Sequence, residues 1–171
     1  MYNPPEPGGV ALSTGVPATS GTWVFPAGNV NPARREALVV ANPGEFPAEV
    51  DVEIRPEDSD FSTEPFELTV QPRRHVLLDL ATEERMNELL SQNAAYSIIV
   101  RTADGTSVAA ERVVRVPPEQ PGAGAATGVG SAIAGNKLVA EMSGAQPGSL
   151  LTLFNPSEDS VAQVKVSIIA N

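Results

Sequence analysis

The chain has 171 residues, of which 21 are acidic and 11 basic, giving a formal charge of −10. That balance disfavours nucleic-acid binding, which needs a basic surface to track phosphates. Zero Cys excludes disulfides, thiolate metal sites and cysteine nucleophiles, and a single His, His75, excludes a His-rich metal cluster.

Met1-Tyr2-Asn3-Pro4-Pro5 has neither the basic region nor the apolar core of a signal peptide, and no run reaches the roughly 18 to 20 apolar residues of a membrane helix. Strands are predicted at Thr22 to Ala27 and at Glu36 to Ala41. After the turn signal Asn42-Pro43-Gly44 comes the clearest alternation in the chain, with Val50, Val52 and Ile54 on one side and Glu49, Asp51 and Glu53 on the other. That is a half-buried strand. Pro65 to Val70 and His75 to Leu80 are the next strands, parted by Gln71-Pro72. Ala81 to Gln92 reads instead as a short helix crossing between sheets, with Thr82 as its cap, Glu83 and Glu84 at its positive end and Met86, Leu89 and Leu90 as its apolar stripe. Ala95 to Thr102 and Ser107 to Val116 follow, with Asp104-Gly105 between them as a hairpin signal, because both central residues of a type I′ turn need positive φ. About seven short strands with regular turns predict an all-β fold, an immunoglobulin-like β-sandwich with one short helix.

The chain repeats itself. Pro4-Pro5-Glu6, Thr14-Gly15-Val16 and Asn42-Pro43 recur 113 residues later as Pro117-Pro118-Glu119, Thr127-Gly128-Val129 and Asn155-Pro156, and residues 4–47 share 12 identities over 44 positions with residues 117–160. One extra residue then restores register, so that Ala48, Val50, Val52 and Ile54 match Ala162, Val164, Val166 and Ile168. The outward acids are not kept: Glu49, Asp51 and Glu53 become Gln163, Lys165 and Ser167. The expected organisation is a linker-like segment at 1–13, a complete sandwich at 14–116, a Pro/Gly/Ala-rich linker at 117–126, and a truncated second copy at 127–171. The apolar residues of that copy, chiefly Leu151, Leu153, Val164, Val166 and Ile168, are too few to offset the ordering of its backbone. It is expected to pack on the first unit, to pair with another chain by self-association through its open strands, or to stay mobile.

Candidate site residues are few. His75 with Asp79 and a serine has the residue types of a nucleophilic triad, but alternation puts His75, Leu77 and Asp79 on the outer face and Val76, Leu78 and Leu80 inside, and no Gly-x-Ser-x-Gly elbow exists. No catalytic residue is assigned, and the chain is read as a non-enzyme without cofactor or metal. Arg34, Arg35, Arg73 and Arg74 are candidates for an anion or sugar-acid contact, since each guanidinium is a planar fork of donors. In the second copy Pro147 and Gly148 replace Arg34 and Arg35. Trp23, the only tryptophan, is either a core residue or a stacking platform, and Asn136 is its counterpart. Glu57, Asp58, Asp60 and Glu64 form an acidic loop without the glycine and terminal Glu of an EF-hand. The glycines of 122–130 lack the Lys-Ser/Thr of a phosphate-cradling loop and read as linker.

Trp23-Val-Phe-Pro-Ala-Gly28, Leu38-Val-Val-Ala-Asn42-Pro43-Gly44, Ala48 to Ile54, Leu68-Thr-Val70 with Arg73 to Leu80, and Ser107-Val-Ala-Ala-Glu111 together resemble a family of secreted actinobacterial proteins known only as a domain of unknown function. More distantly, their order is similar to the sensory rhodopsin transducer family of small β-sandwich proteins. The resemblance implies an extracellular or cell-envelope repeat module, and it carries over no site residue. The expected function is non-enzymatic binding of an envelope polysaccharide, another envelope component or a protein partner. The alternative is a sugar-like small-ligand or signalling module resembling the transducers.

Overall fold

The structure, a computed structural model, describes residues 9–11, 13, 15–29, 34–57, 63–92, 94–103, 105–119, 123–132, 135, 151–157 and 159–167. Its elements are β1 (Gly9–Ala11), β2 (Thr22–Asn29), β3 (Arg35–Asn42), β4 (Ala48–Pro56), β5 (Phe66–Val70), β6 (Arg74–Asp79), a 3-10 turn (Glu84–Met86), α1 (Asn87–Gln92), β7 (Ala95–Thr102), β8 (Ala109–Val116) and β9 (Gly124–Val129). The strands form a five-stranded sheet in the order β1-β9-β8-β3-β6 and a four-stranded sheet in the order β2-β7-β4-β5. All pairs are antiparallel except β1 with β9. This is the β-sandwich that the alternation predicts.

The core lies between the sheets because each strand turns one parity inward. β3 contributes Leu38 and Val40, β4 contributes Ala48, Val50, Val52 and Ile54, β7 contributes Tyr96, Ile98 and Val100, and Phe66, Val70, Leu78 and Leu80 fill the same layer. Met86 and Leu89 of the expected helical stripe are buried, so the helix closes the gap left where the chain passes from β6 in one sheet to β7 in the other. Thr82 is not its cap: the Thr82 hydroxyl donates to the Asp79 carbonyl at 3.0 Å, and Glu83 stands at the cap position without a side-chain bond.

Asp104-Gly105 does not make a hairpin. β7 pairs with β2 and β4, whereas β8 pairs with β3 and β9, so the turn carries the chain from one sheet to the other. Gly105 has φ +69, the left-handed conformation the dipeptide suggests, while Asp104 lies outside the described residues. The local chemistry of the turn is right, but burial of both flanking strands between different neighbours decides the pairing.

The expected linker also holds structure. Gly124–Val129 is a strand with six residues in register on β8, from Val116 opposite Gly124 to Glu111 opposite Val129. The chain then changes sheets: Ser131 exchanges backbone hydrogen bonds with Val24 of β2 at 2.8 and 2.9 Å. A Cβ on Gly130 would lie 2.8 to 3.1 Å from three Phe25 ring atoms, so the turn between β9 and Ser131 rests directly on a core aromatic. The first residues of the second repeat therefore complete the first sandwich.

Beyond them, residues 151–157 and 159–167 form no strand, and Leu151, Leu153, Val161, Val164 and Val166 are exposed. Ile168 and residues 136–150 lie outside the described residues. The turn of the repeat nevertheless forms in both copies. Asn42 Oδ1 accepts from the Gly44 amide at 2.9 Å and its Nδ2 donates to the Phe46 carbonyl at 2.8 Å. Asn155 Oδ1 accepts from the Ser157 amide at 3.2 Å and its Nδ2 donates to the Ser160 carbonyl at 2.6 Å, one residue further on, where the sequence carries its extra residue.

Candidate functional site

Strand parity and register assign every outward residue of the central part of the five-stranded sheet. Glu36, Leu38, Val40 and Asn42 of β3 are buried, so Arg35, Ala37, Val39 and Ala41 face out. Their cross-strand partners share that face: Asp79, Leu77 and His75 on β6, and Arg115, Val113, Glu111 and Ala109 on β8. Between its two ends the face is a strip of small and apolar side chains, with Leu77 exposed at its β6 edge. Its acids are Asp79, opposite Ala37, and Glu111, which accepts the Ser13 hydroxyl at 2.6 Å.

The two candidate Arg pairs do not meet. Arg35 begins β3 and Arg74 pairs with Asn42 at its other end, seven residues or about 23 Å away at 3.3 Å per residue. Arg35 has a different basic neighbour. It sits directly opposite Arg115, and both are exposed. Opposed side chains on one face have their Cβ atoms about 5 Å apart, and like charges there repel. Among the described residues neither guanidinium has an ion pair. Two such forks side by side, with exposed Arg34 preceding them, match a carboxylate, phosphate or sulfate bridging the pair.

At the opposite end, Arg73 carries φ 56 in the turn closed by the Arg74 amide donating to the Gln71 carbonyl at 3.1 Å. Glycine or asparagine is favoured there, and Arg costs roughly 1 kcal/mol. Its guanidinium reaches Glu45 at 3.2 Å, an exposed pair. His75 is exposed on β6, and Asp79 on the same face is four residues or about 13 Å along the strand, too far to orient an imidazole. Asp79 Oδ1 accepts the Ala81 amide at 3.1 Å instead.

Trp23 is a core residue, not a platform: it is buried, and its indole N–H donates to the Val108 carbonyl at 2.8 Å. Asp58 and Asp60 of the acidic loop lie outside the described residues. Among the described residues no group of three His, Asp or Glu side chains has the arrangement of a metal site, and no helix is long and apolar enough to cross a membrane.

The outer face of the four-stranded sheet has the opposite charge. Glu49, Asp51 and Glu53 lie along β4 and Glu67 stands opposite Asp51. Arg55 and Arg101 converge on Glu53, Arg101 at 2.6 Å. Partial burial disfavours the Glu53 carboxylate, but the two guanidinium hydrogen bonds and charges outweigh it and hold the group below its ordinary 4.5. The folded-state value being the lower one, Glu53 stabilises the fold above about pH 4.5 and loses that contribution as pH falls through the depressed value. In urea titrations from about pH 6 to about pH 3, the midpoint of the native chain is expected to fall towards that of Glu53→Gln. A gap that stays constant over this range would contradict the assignment.

Sequence reasoning missed Arg115, which lies 80 residues from Arg35 and joins it only through register. It also missed a buried polar group between the sheets. Glu36 takes the inward parity of β3, lies 3.6 Å from Arg112 and accepts a hydrogen bond from the Tyr96 hydroxyl, and burial with the Glu36 charge pushes the Tyr96 phenol upward. A glutamate in phase with Leu38 and Val40 was the available signal.

Comparison with known proteins bears on fold and family. A Thermotoga maritima protein, Thermotoga maritima 1070, has a similar crystal structure at 18% identity and a TM-score of 0.53, covering 66% of this chain and 93% of its own. The Anabaena sensory rhodopsin transducer is similar at 18% identity and a TM-score of 0.43, covering 57% of this chain and 85% of its own. No curated protein sequence matches. The family model described as "Family of unknown function (DUF5719)" matches residues 8–171, nearly the whole chain, and the chain belongs to that family.

Proposed function

We infer that the chain is a non-enzymatic β-sandwich repeat module, placed outside the cell or at the cell envelope, that binds an anionic envelope component through the outer face of its five-stranded sheet. The observation that carries this reading is the Arg35–Arg115 pair: two exposed, directly opposed guanidiniums with no ion pair among the described residues, on a chain of charge −10. The described acids of this face, Asp79 opposite Ala37 and Glu111 opposite Val39, lie further along the strands and form no ion pair with either arginine. The small-residue strip supports an extended ligand, because Ala37, Val39, Ala41 and Ala109 leave a flat track from Arg35 towards His75. Segregation of Glu49, Asp51, Glu53 and Glu67 on the other sheet keeps their repulsion away from that track. The resemblance to secreted actinobacterial proteins supports the placement.

The test is co-sedimentation of the full chain with isolated actinobacterial envelope and with its purified anionic polysaccharide. Each charge-assisted contact contributes about 1.5 to 3 kcal/mol, so Arg35→Glu/Arg115→Glu, which removes two of them, is expected to weaken binding by at least about a hundredfold. Arg73→Glu serves as the control at the other end, with a smaller effect because Glu45 already engages that guanidinium. Undiminished binding by the Arg35/Arg115 variant, or binding to protein-only fractions in place of polysaccharide, would overturn the reading.

A further inference from the structure

Of the sheet edges, three are blunted. β1 is only three residues long. β2 carries Pro26 and a register irregularity between Phe25 and Gly28, and Ser131 already bridges to its Val24. β5 is five residues long, turns Glu67 and Thr69 outward, and has its Val70 carbonyl taken by Asn42. β6 has none of these devices. It keeps unbroken register with β3 from Arg74 to Asp79, contains neither Pro nor Lys, and presents Leu77 58% exposed at its middle. Among the described residues no strand lies on its other side. An edge of this kind is a template for a further strand. The phase of the β3–β6 ladder identifies the backbone groups on offer. The Leu80 amide donates to the Glu36 carbonyl at 3.0 Å, so Leu78 and Val76, two and four residues back, also turn their backbone groups towards β3. His75, Leu77 and Asp79 turn theirs away from it.

We propose that the β6 edge is a self-association surface whose occupant is β6 of a second copy of this chain, antiparallel to the first about a two-fold axis at Leu77. Charge complementarity along the strand selects that occupant. β6 is basic where it starts, at Arg73, Arg74 and His75, and acidic where it ends, at Asp79 with Glu83 and Glu84 beyond. An antiparallel copy sets each end against its opposite, and the two-fold does so twice, whereas a parallel copy would oppose like ends. Directly opposed residues share a face, so His75 meets the partner's Asp79 while Leu77 packs on the partner's Leu77 between them. A shift of two residues in either direction would put Leu77 against a polar side chain, His75 or Asp79. The backbone agrees with this register. The two Leu77 residues exchange their outward bonds, and each Asp79 amide donates to the partner's His75 carbonyl. The Asp79 carbonyl is held by the Thr82 amide and hydroxyl at 3.1 and 3.0 Å. The product is one continuous sheet across both copies.

Sedimentation velocity on the full chain tests this, with a monomer–dimer equilibrium expected over about 1 to 500 μM. Leu77→Lys sets ammonium against ammonium on the axis and is expected to raise the dissociation constant at least about tenfold. Its circular dichroism should match the native chain, since Leu77 is mostly exposed. The chain has no Cys, so single cysteines read the register. Leu77→Cys is expected to cross-link to itself on oxidation, because opposed residues of a hydrogen-bonded pair have Cα atoms about 5.5 Å apart, within disulfide reach. His75→Cys is not, since the two copies of that residue lie four positions or about 13 Å apart, but it is expected to cross-link to an Asp79→Cys chain. A monomer throughout the range, a dimer that survives Leu77→Lys, or His75→Cys linking to itself as readily as Leu77→Cys would overturn the proposal. So would a dimer abolished by Leu153→Asp/Val166→Asp, which would place the contact on the exposed second copy. The anion-binding reading stands or falls separately, on polysaccharide binding by Arg35 and Arg115, which lie on β3 and β8.

Discussion

A chain ending at Pro118 is expected to melt at least about 12 °C below one ending at Gly135, followed by circular dichroism. The shorter chain keeps β2 to β8, yet it loses β9 and with it the ladder partner of β1. β9 forms a six-residue ladder on β8, and Ser131 beyond it bridges to Val24 in the opposite sheet. Ladder bonds contribute about 1 kcal/mol each. Gly130 covers the ring of Phe25, whose full burial stabilises by up to about 3 kcal/mol. A net loss of roughly 3 kcal/mol is expected, and about 4 °C accompanies each kcal/mol in a domain of this size. Equal melting temperatures would mean that β9 is an ornament on a finished sandwich. The choice of boundary matters for any binding assay, because a chain cut at 118 presents a damaged five-stranded sheet.

The parts of this fold that depend on one strand's own pattern were legible in the sequence. β4 is the clearest case: Val50, Val52 and Ile54 are buried and Glu49 and Asp51 exposed, as alternation requires. His75 and Leu77 likewise fall outside and Leu78 inside. What was not legible is which strand lies beside which. Asp104-Gly105 has the composition of a hairpin turn, and Gly105 adopts the expected φ, but the composition of a turn cannot report that β7 and β8 find their partners in different sheets. The same ignorance of register hid Arg115 behind Arg35 and paired Arg35 in expectation with Arg73 and Arg74, which the length of β3 keeps apart. The repeat was visible as identity, but identity marks the period and not the place where one sandwich ends. Thr127-Gly128-Val129 matches Thr14-Gly15-Val16, and it belongs structurally to the sheet of β8.

Gly28→Ala is expected to destabilise the sandwich by about 3 kcal/mol, through a side chain 68 residues away. Gly28 lies opposite Tyr96 just past the irregularity in β2, and an added Cβ would fall 2.4, 2.7 and 2.8 Å from three atoms of the Tyr96 ring. The ring has no easy retreat. It is buried, and its hydroxyl is committed to Glu36, itself buried and facing Arg112 at 3.6 Å. Moving the ring therefore adds the loss of a buried polar contact to the steric cost. A double-mutant cycle separates the two. In a Tyr96→Leu background the clash is gone, and Gly28→Ala is expected to cost under about 1 kcal/mol. An equal cost in both backgrounds would place the strain in the β2 backbone and not against Tyr96. The polar part has its own signature at alkaline pH. Because burial and the Glu36 charge raise the folded-state pKa of Tyr96 above its ordinary 10.0, its contribution is full below that value and is lost as pH rises beyond it. A Gly28→Ala chain whose displaced ring has lost Glu36 should show a shallower alkaline fall in stability than the native chain, whereas a purely steric defect would leave the two slopes parallel.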